Sequence, residues 1–229
     1  MIDPKDDIIQ KLRSKIMNLE RIPLSDMQCS FISSGFEQLD DVLPSGGLPL
    51  GSLIELLSEE ASGALGLALN LARRAIEAKA AWAVVDVDGS FYPPAAAQRG
   101  LDTDKLLVIR TRPSSAAWAF GQLLRCPDVG ASFLYSAGCQ PAREKPQQAG
   151  CLRYLDNMTY RRLQLAAERG GGLGFVLRDT TAARRPCWAA LRLLVGSGTG
   201  NSPMRSLKVT VLHVRGSNAS GSVVLDIDL

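Results

Sequence analysis

The chain predicts an α/β domain: a mostly parallel central sheet flanked by helices, with an antiparallel C-terminal edge. Three observations carry this. Short apolar runs such as 81–86 and 131–135 have the unbroken hydrophobicity of strands buried on both faces. Helix-length amphipathic stretches alternate with them, the rhythm of strand–helix–strand crossovers. The last runs, 189–195 and 207–214, follow one another with no helix between them, so they form the antiparallel edge. A length of 229 residues fits one such domain plus a small addition. The expected division is an N-terminal helix and linker over 1–30 and the α/β domain over 31–229.

The elements follow in order. Residues 6–20 read as an amphipathic helix, with Ile8, Ile9, Leu12, Ile16 and Leu19 near helical spacing and Pro23 beyond its end. A helix this short is marginal alone, so it packs on its own domain, on a second copy or on a partner. Residues 53–57 are a strand, 58–63 a polar turn and 64–79 a helix with Leu65, Leu69, Ala72 and Ile76 on one stripe. A strand over 81–86, a helix over 93–100 and a strand over 106–110 come next. Residues 114–124 form a helix with Ser114 as its N-cap, and 131–135 a strand. A helix over 157–169 is ended by the glycines 170–172, and a strand covers 174–178. Residues 136–156, 179–186 and 196–206 read as loops.

The strand–turn–helix at 53–79 has the layout of a phosphate-binding loop. A working loop reads G-x-x-x-x-G-K-[ST]: backbone N–H groups cradle phosphates, the lysine meets the β- and γ-phosphates and the hydroxyl holds Mg²⁺. The eight positions here are Ser58, Glu59, Glu60, Ala61, Ser62, Gly63, Ala64 and Leu65. Serine replaces the first glycine, alanine the lysine and leucine the hydroxyl. Two glutamates add negative charge where phosphates would sit.

The flanks give this broken motif a context. The stretch from Ser33 to Glu55 resembles S-x-G-x-x-x-L-D-x-x-L-x-x-G-G-L-P-x-G-x-[IL]-x-E, the segment before the phosphate loop in the RecA family. Val84-Val-Asp-Val-Asp88 and Gly100-Leu-Asp-Thr-Asp-Lys-Leu-Leu-Val108 resemble that family's second strand and the segment after it. The resemblance runs from about Ile32 to the C-terminal strands and implies a RecA-like P-loop NTPase core. Within the superfamily the chain is similar to the ImuA family of SOS mutagenesis accessory proteins, on its eroded loop, the segment from Tyr160 to Arg178 and the ending Val209-Thr-Val-Leu-His-Val-Arg-Gly216.

The resemblance also says what chemistry to look for. A magnesium carboxylate should follow the strand 131–135, where Ser136, Ala137 and Gly138 stand. The water-activating acid should lie two residues past Asp86, where Asp88 stands; turn formation and capping are the plainer roles for both aspartates. The sensor amide should close the strand 174–177, where Arg178 stands. Three parts gone and one altered predict a catalytically inactive protein that needs no cofactor. One rival is a RecA- or KaiC-type DNA-dependent ATPase with a non-standard loop, and another is a cell-division inhibitor of the SulA type.

Composition narrows other classes. The five cysteines are odd in number and form no C-x-x-C pair, and His213 is the lone histidine, so no metal site is expected. No run of about 18 apolar residues marks a membrane span, and the acidic start is not a secretory signal, so the expected location is the cytoplasm. The net charge of +3 is unevenly placed. Residues 140–215 hold 13 basic and four acidic side chains, a local excess of +9. Such a half suits an acidic partner, nucleic acid or protein, or is a solvated face. RecA-family proteins contact single-stranded DNA through two loops, after the strands equivalent to 131–135 and 174–178. Carried over, those loops and the adjoining helix offer Arg143, Lys145, Arg153, Arg161, Arg162, Arg184 and Arg185 to DNA or to a partner protein. Tyr154, Tyr160 and Trp188 are candidates for stacking on bases. The ImuA resemblance implies as partners an ImuB-like inactive Y-family polymerase homologue and an error-prone polymerase III alpha-type subunit, with RecA, single-stranded DNA and further copies of the chain as additional ones.

Overall fold

The structure, a computed structural model, describes residues 30–59, 63–135, 155–185, 188–198 and 205–227. The expected helix over 6–20 lies outside them. At the start of the described chain, strands β1 (Phe31–Ile32) and β2 (Leu48–Pro49) pair antiparallel around helix α1 (Glu37–Val42). Asp40 ties this entry segment together. Its carboxylate accepts from Ser33 Oγ at 2.6 Å and from the Ser34 amide at 2.9 Å.

The main sheet has eight strands: β3 (Ser52–Ser58), β4 (Ala81–Asp86), β5 (Leu106–Arg110), β6 (Val129–Tyr135), β7 (Leu173–Asp179), β8 (Leu191–Ser197), β9 (Arg205–Val214) and β10 (Gly221–Ile227). Their spatial order is β10-β9-β8-β3-β7-β6-β4-β5. All pairings from β8 through β5 are parallel, while β8–β9 and β9–β10 are antiparallel. This is the mostly parallel sheet with an antiparallel C-terminal edge that the sequence predicts. The chain leaves β3 for β4, three places away, and later returns to β3's other side as β8. The carboxyl end of β3 therefore lies at a switch in strand order, where open α/β sheets hold ligands.

Helices cover both faces because the strands are apolar on both. On one face α2 (Ala64–Glu77) buries Leu67, Ala68, Leu71 and Ala75 against Ile54, Leu56, Val84 and Phe133. Phe133 and Phe175 stack there at 5.1 Å between ring centres. The short α3 (Pro93–Gln98) adds Ala96 to the same cluster. On the other face α4 (Pro113–Arg125) and α5 (Asn157–Gly170) bury Phe120, Leu124, Leu163 and Ala167 against Leu53, Ala83, Val85 and Val176. Among the described residues no helix is long and apolar enough to cross a membrane.

Four local expectations change. Ser114 does not cap α4: Pro113 takes the first position, which suits its missing N–H, and Arg112 is the N-cap residue without a side-chain bond. Within the expected loop 179–186, Thr180–Arg184 forms a 3₁₀ turn with Asp179 as its cap. Strand β8 starts at Leu191 rather than 189. Helix α5 runs through Gly170, and Gly171, in the left-handed region at φ 73°, is the residue that ends it.

Candidate functional site

The turn after β3 begins with Ser58 and Glu59, the latter exposed. Glu60, Ala61 and Ser62 lie outside the described residues. Gly63 has φ 84°, a left-handed conformation that a residue with a Cβ adopts at a cost, and its carbonyl starts α2 by accepting from Leu67 at 3.0 Å. A Cβ placed on Gly63 would stand 3.6 Å from Arg205 Nε and 3.5 Å from Leu207, so the start of β9 packs beside Gly63. Ala64 is buried and Leu65 half-buried, both against the core. They present hydrocarbon where a phosphate loop presents an ammonium and a hydroxyl.

At the ends of β4 and β6, Asp86 and Asp88 act in the turn. The buried Asp86 carboxylate accepts from the amides of Gly89, Ser90 and Phe91 at 3.0, 3.1 and 3.2 Å. Asp88 accepts from the Ser90 amide and hydroxyl. Nearby, burial pushes the Tyr135 phenol above its ordinary pKa; a hydrogen bond with Ser90 works the other way, and Asp88 and Asp86 add to the rise. Position 136, where the magnesium carboxylate is sought, lies outside the described residues.

The densest polar chemistry is a buried cluster on the α5 side of β3. Glu55 is fully buried. Its Oε1 accepts from Tyr160 Oη at 2.6 Å and from Arg178 Nη1 at 3.0 Å. Its Oε2 accepts from Arg192 Nε. Arg178 Nη1 also reaches Tyr160 Oη at 3.3 Å, and its guanidinium lies 5.7 Å from the Tyr160 ring centre. Burial works against the charge of Arg178, but Tyr160 and Glu55 offset this and hold its pKa above the ordinary value. The arrangement follows from strand periodicity and register. Glu55, Arg178 and Arg192 sit on adjacent strands, Glu55 opposite Val176 of β7 and Arg192 of β8, and alternation turns all three toward α5. Arg178, at the sensor-amide position, thus points to the face opposite α2.

This cluster extends to the surface through Arg192. Its Nη1 donates to the carbonyls of Ala183 at 3.2 Å and Arg185 at 3.0 Å. The 3₁₀ turn so held carries Arg184 and Arg185, both exposed. Beyond it Trp188, 42% exposed, takes the Arg161 guanidinium over its ring at 5.6 Å. The structure therefore brings Arg161, Arg184, Arg185 and Trp188 to one side of the sheet, between α5 and β8. Arg162 is exposed on the next flank of α5 and adds to the forces that lower the pKa of Asp156, chiefly hydrogen bonds from Thr159. Tyr160 does not serve as a stacking surface, because it is buried in the cluster. Arg143, Lys145, Arg153 and Tyr154 lie outside the described residues.

Sequence reasoning missed Glu55 and Arg192 as site residues. The signal was available: a charge inside an unbroken apolar strand run, as in Leu-Ile-Glu-Leu-Leu and Leu-Arg-Leu-Leu-Val, is seldom tolerated unless it has a buried partner. Among the described residues, no group of histidine, cysteine and carboxylate side chains could hold a metal ion.

Comparison with known proteins agrees with this frame. The model of the RecA N-terminal domain matches residues 8–123, about half of the chain. Protein RecA of Mycoplasma genitalium is 38% identical over 88 residues, covering 38% of this chain and 26% of the relative. Protein RecA of Chlorobium limicola is 37% identical over 93 residues, 41% of this chain and 26% of the relative. Protein RecA of Rhodospirillum centenum is 39% identical over 77 residues, 34% of this chain and 22% of the relative. The chain thus spans about a quarter of the length of the relatives it matches. With the strand–turn–helix at β3, the strand order around it and the matched half of the chain, this protein belongs to the RecA N-terminal domain family.

Proposed function

We propose that this RecA-type chain binds single-stranded DNA without turning over nucleotide, as an ImuA-like accessory of SOS-induced mutagenic translesion synthesis and repair. The observation that carries the reading is the exposed group of Arg161, Arg184, Arg185 and Trp188 between α5 and β8. Cations that track phosphates beside an aromatic ring that stacks on bases are what sequence-tolerant single-strand binding requires. The excess of positive charge in residues 140–215 supports it. The turn after β3 supports the absence of turnover, because Ala64 and Leu65 leave phosphate and magnesium without their usual ligands.

In this reading the protein works in the cytoplasm as a scaffold. Its partners are an ImuB-like inactive polymerase homologue and an error-prone polymerase III alpha-type subunit, with RecA as a further contact and self-association through residues 6–20. The test has two arms. Fluorescence anisotropy with a labelled oligothymidylate should give binding whose log–log salt slope is about −2, the value for some three neutralised phosphates on a single strand. Calorimetry with Mg-ATP should give no binding heat at millimolar nucleotide. No DNA binding at low salt would refute the first half, and a micromolar nucleotide dissociation constant the second.

A further inference from the structure

We propose that Glu55 is a positioning residue for the basic segment after β7: its buried carboxylate aims Arg192, and Arg192 holds the main chain that presents Arg184 and Arg185. The proposal rests on the reading that those two arginines meet a polyanion.

Each link has its own geometry. Glu55 is fully buried, so its carboxylate is screened from water, and Tyr160, Arg178 and Arg192 all donate to it. Arg192 spends Nε on that carboxylate, which leaves Nη1 facing outward toward the carbonyls of Ala183 and Arg185. The planar guanidinium makes the two ends of this relay rigid with respect to each other. The segment needs such a hold, because 3₁₀ turns bond poorly and rarely persist on their own. Local bonds add to it: Asp179 Oδ1 accepts from the Thr181 amide at 2.8 Å, and the Arg185 amide donates to the Ala182 carbonyl at 3.0 Å. The buried Ala182 packs the turn inward, and Arg192 adds charged hydrogen bonds from the buried cluster to its main chain. A loop already held in shape loses less freedom when it binds, which favours affinity.

Arg178 provides the control. It shares the Glu55 carboxylate and is as deeply buried, but its hydrogen bonds go to Glu55 and Tyr160 rather than to the segment. Removing either arginine leaves Glu55 with one cation, so Arg192→Met and Arg178→Met should cost similar global stability. Only the first should free the segment.

Native-state trypsin cleavage at the Arg184–Arg185 bond reads this directly, with thermal melting of each variant run alongside. Arg192→Met and Glu55→Gln should speed cleavage at that bond by about tenfold or more, since local opening then no longer breaks bonds to a charged donor held by the core. Arg178→Met should leave it within about twofold of the parent. Equal acceleration in both arginine variants, or none in Arg192→Met, overturns the proposal. Oligothymidylate anisotropy on the same variants separates it from the reading it rests on. Local release in a protein that never binds DNA keeps the relay and refutes the polyanion. DNA binding with an unchanged cleavage pattern keeps the polyanion and refutes the relay.

Discussion

Replacing Glu55 by glutamine should be among the most damaging single changes in this domain. Its carboxylate is fully buried and faces two guanidinium groups whose side chains are 4% and 9% exposed. Breaking a buried ion pair by removing one partner costs about 3–5 kcal/mol, because the charge left behind has lost its solvation and its partner. Here one anion serves two cations, so the upper part of that range applies. For a domain of this size, with a urea m-value of roughly 2–3 kcal/mol per molar, an upper-range cost of about 4–5 kcal/mol should lower the midpoint by about 1.3–2.5 M. The buried Trp82 gives a fluorescence signal for the transition. A companion variant replaces the whole cluster with hydrocarbon, Glu55→Leu with Arg178→Met and Arg192→Met. It should recover much of the loss, since apolar replacement of a buried ionic group is often neutral or stabilising. A midpoint shift below about 0.3 M for Glu55→Gln, on the same m-value, would show that the carboxylate is not a buried anion and would refute this account of the cluster.

Other outcomes follow from single contacts. Gly130→Ala would place a Cβ 1.9 Å from the Ala75 carbonyl oxygen at the end of α2; overpacking against backbone costs about 1–3 kcal/mol or more, and a lowered melting temperature in a thermal scan would register it. Trp188→Ala should weaken oligothymidylate binding by roughly tenfold, as loss of one base-stacking ring costs about 1–3 kcal/mol, read by anisotropy at fixed salt. The Tyr135 phenol, raised chiefly by burial, should ionise above the usual tyrosine range in a phenolate absorbance titration. With a raised pKa in the folded state, its contribution to stability is fully present below the unfolded tyrosine value near 10 and is lost as pH rises through the folded one. Asp88→Asn should bring that titration closer to the ordinary value.

The central strands were legible because burial on both faces leaves an unbroken apolar run. Strand β4 occupies the residues its hydrophobicity marks; β5 does too, because its run Leu-Leu-Val-Ile stays apolar although it is a half-exposed edge strand. The antiparallel edge was harder to read. Strand β10 does not stand out although Val223, Leu225 and Ile227 alternate inward against the exposed Ser222, Val224 and Asp226, because the run is short and broken by Ser222 and Asp226. Helix α1 has six residues and a single buried one, Leu39, too little for a periodic stripe. Ser114 read as a cap on residue type alone, while the preceding proline decides where α4 begins. In the site, the cations of 179–186 were visible as charge. Their ordering was not, because it comes from Arg192, seven residues beyond Arg185 and on a different element. Glu55 is a letter of the family pattern, which masks that a carboxylate inside an apolar strand needs a buried partner.

The same cluster has a consequence for how the chain reaches its native state. Glu55 bonds to groups 105, 123 and 137 residues later in sequence. At a synthesis rate of about 5–20 residues per second, β3 waits on the order of ten seconds before β7 and β8 exist to flank it. Through that interval an apolar strand with a lone carboxylate has no neighbour on either side. Non-local pairing of this kind makes folding slow, and the charge serves meanwhile as a gatekeeper against pairing with another nascent chain. The carboxylate that ties together distant parts of the finished core is thus also a charge that disfavours mispairing while β3 stands without its neighbours.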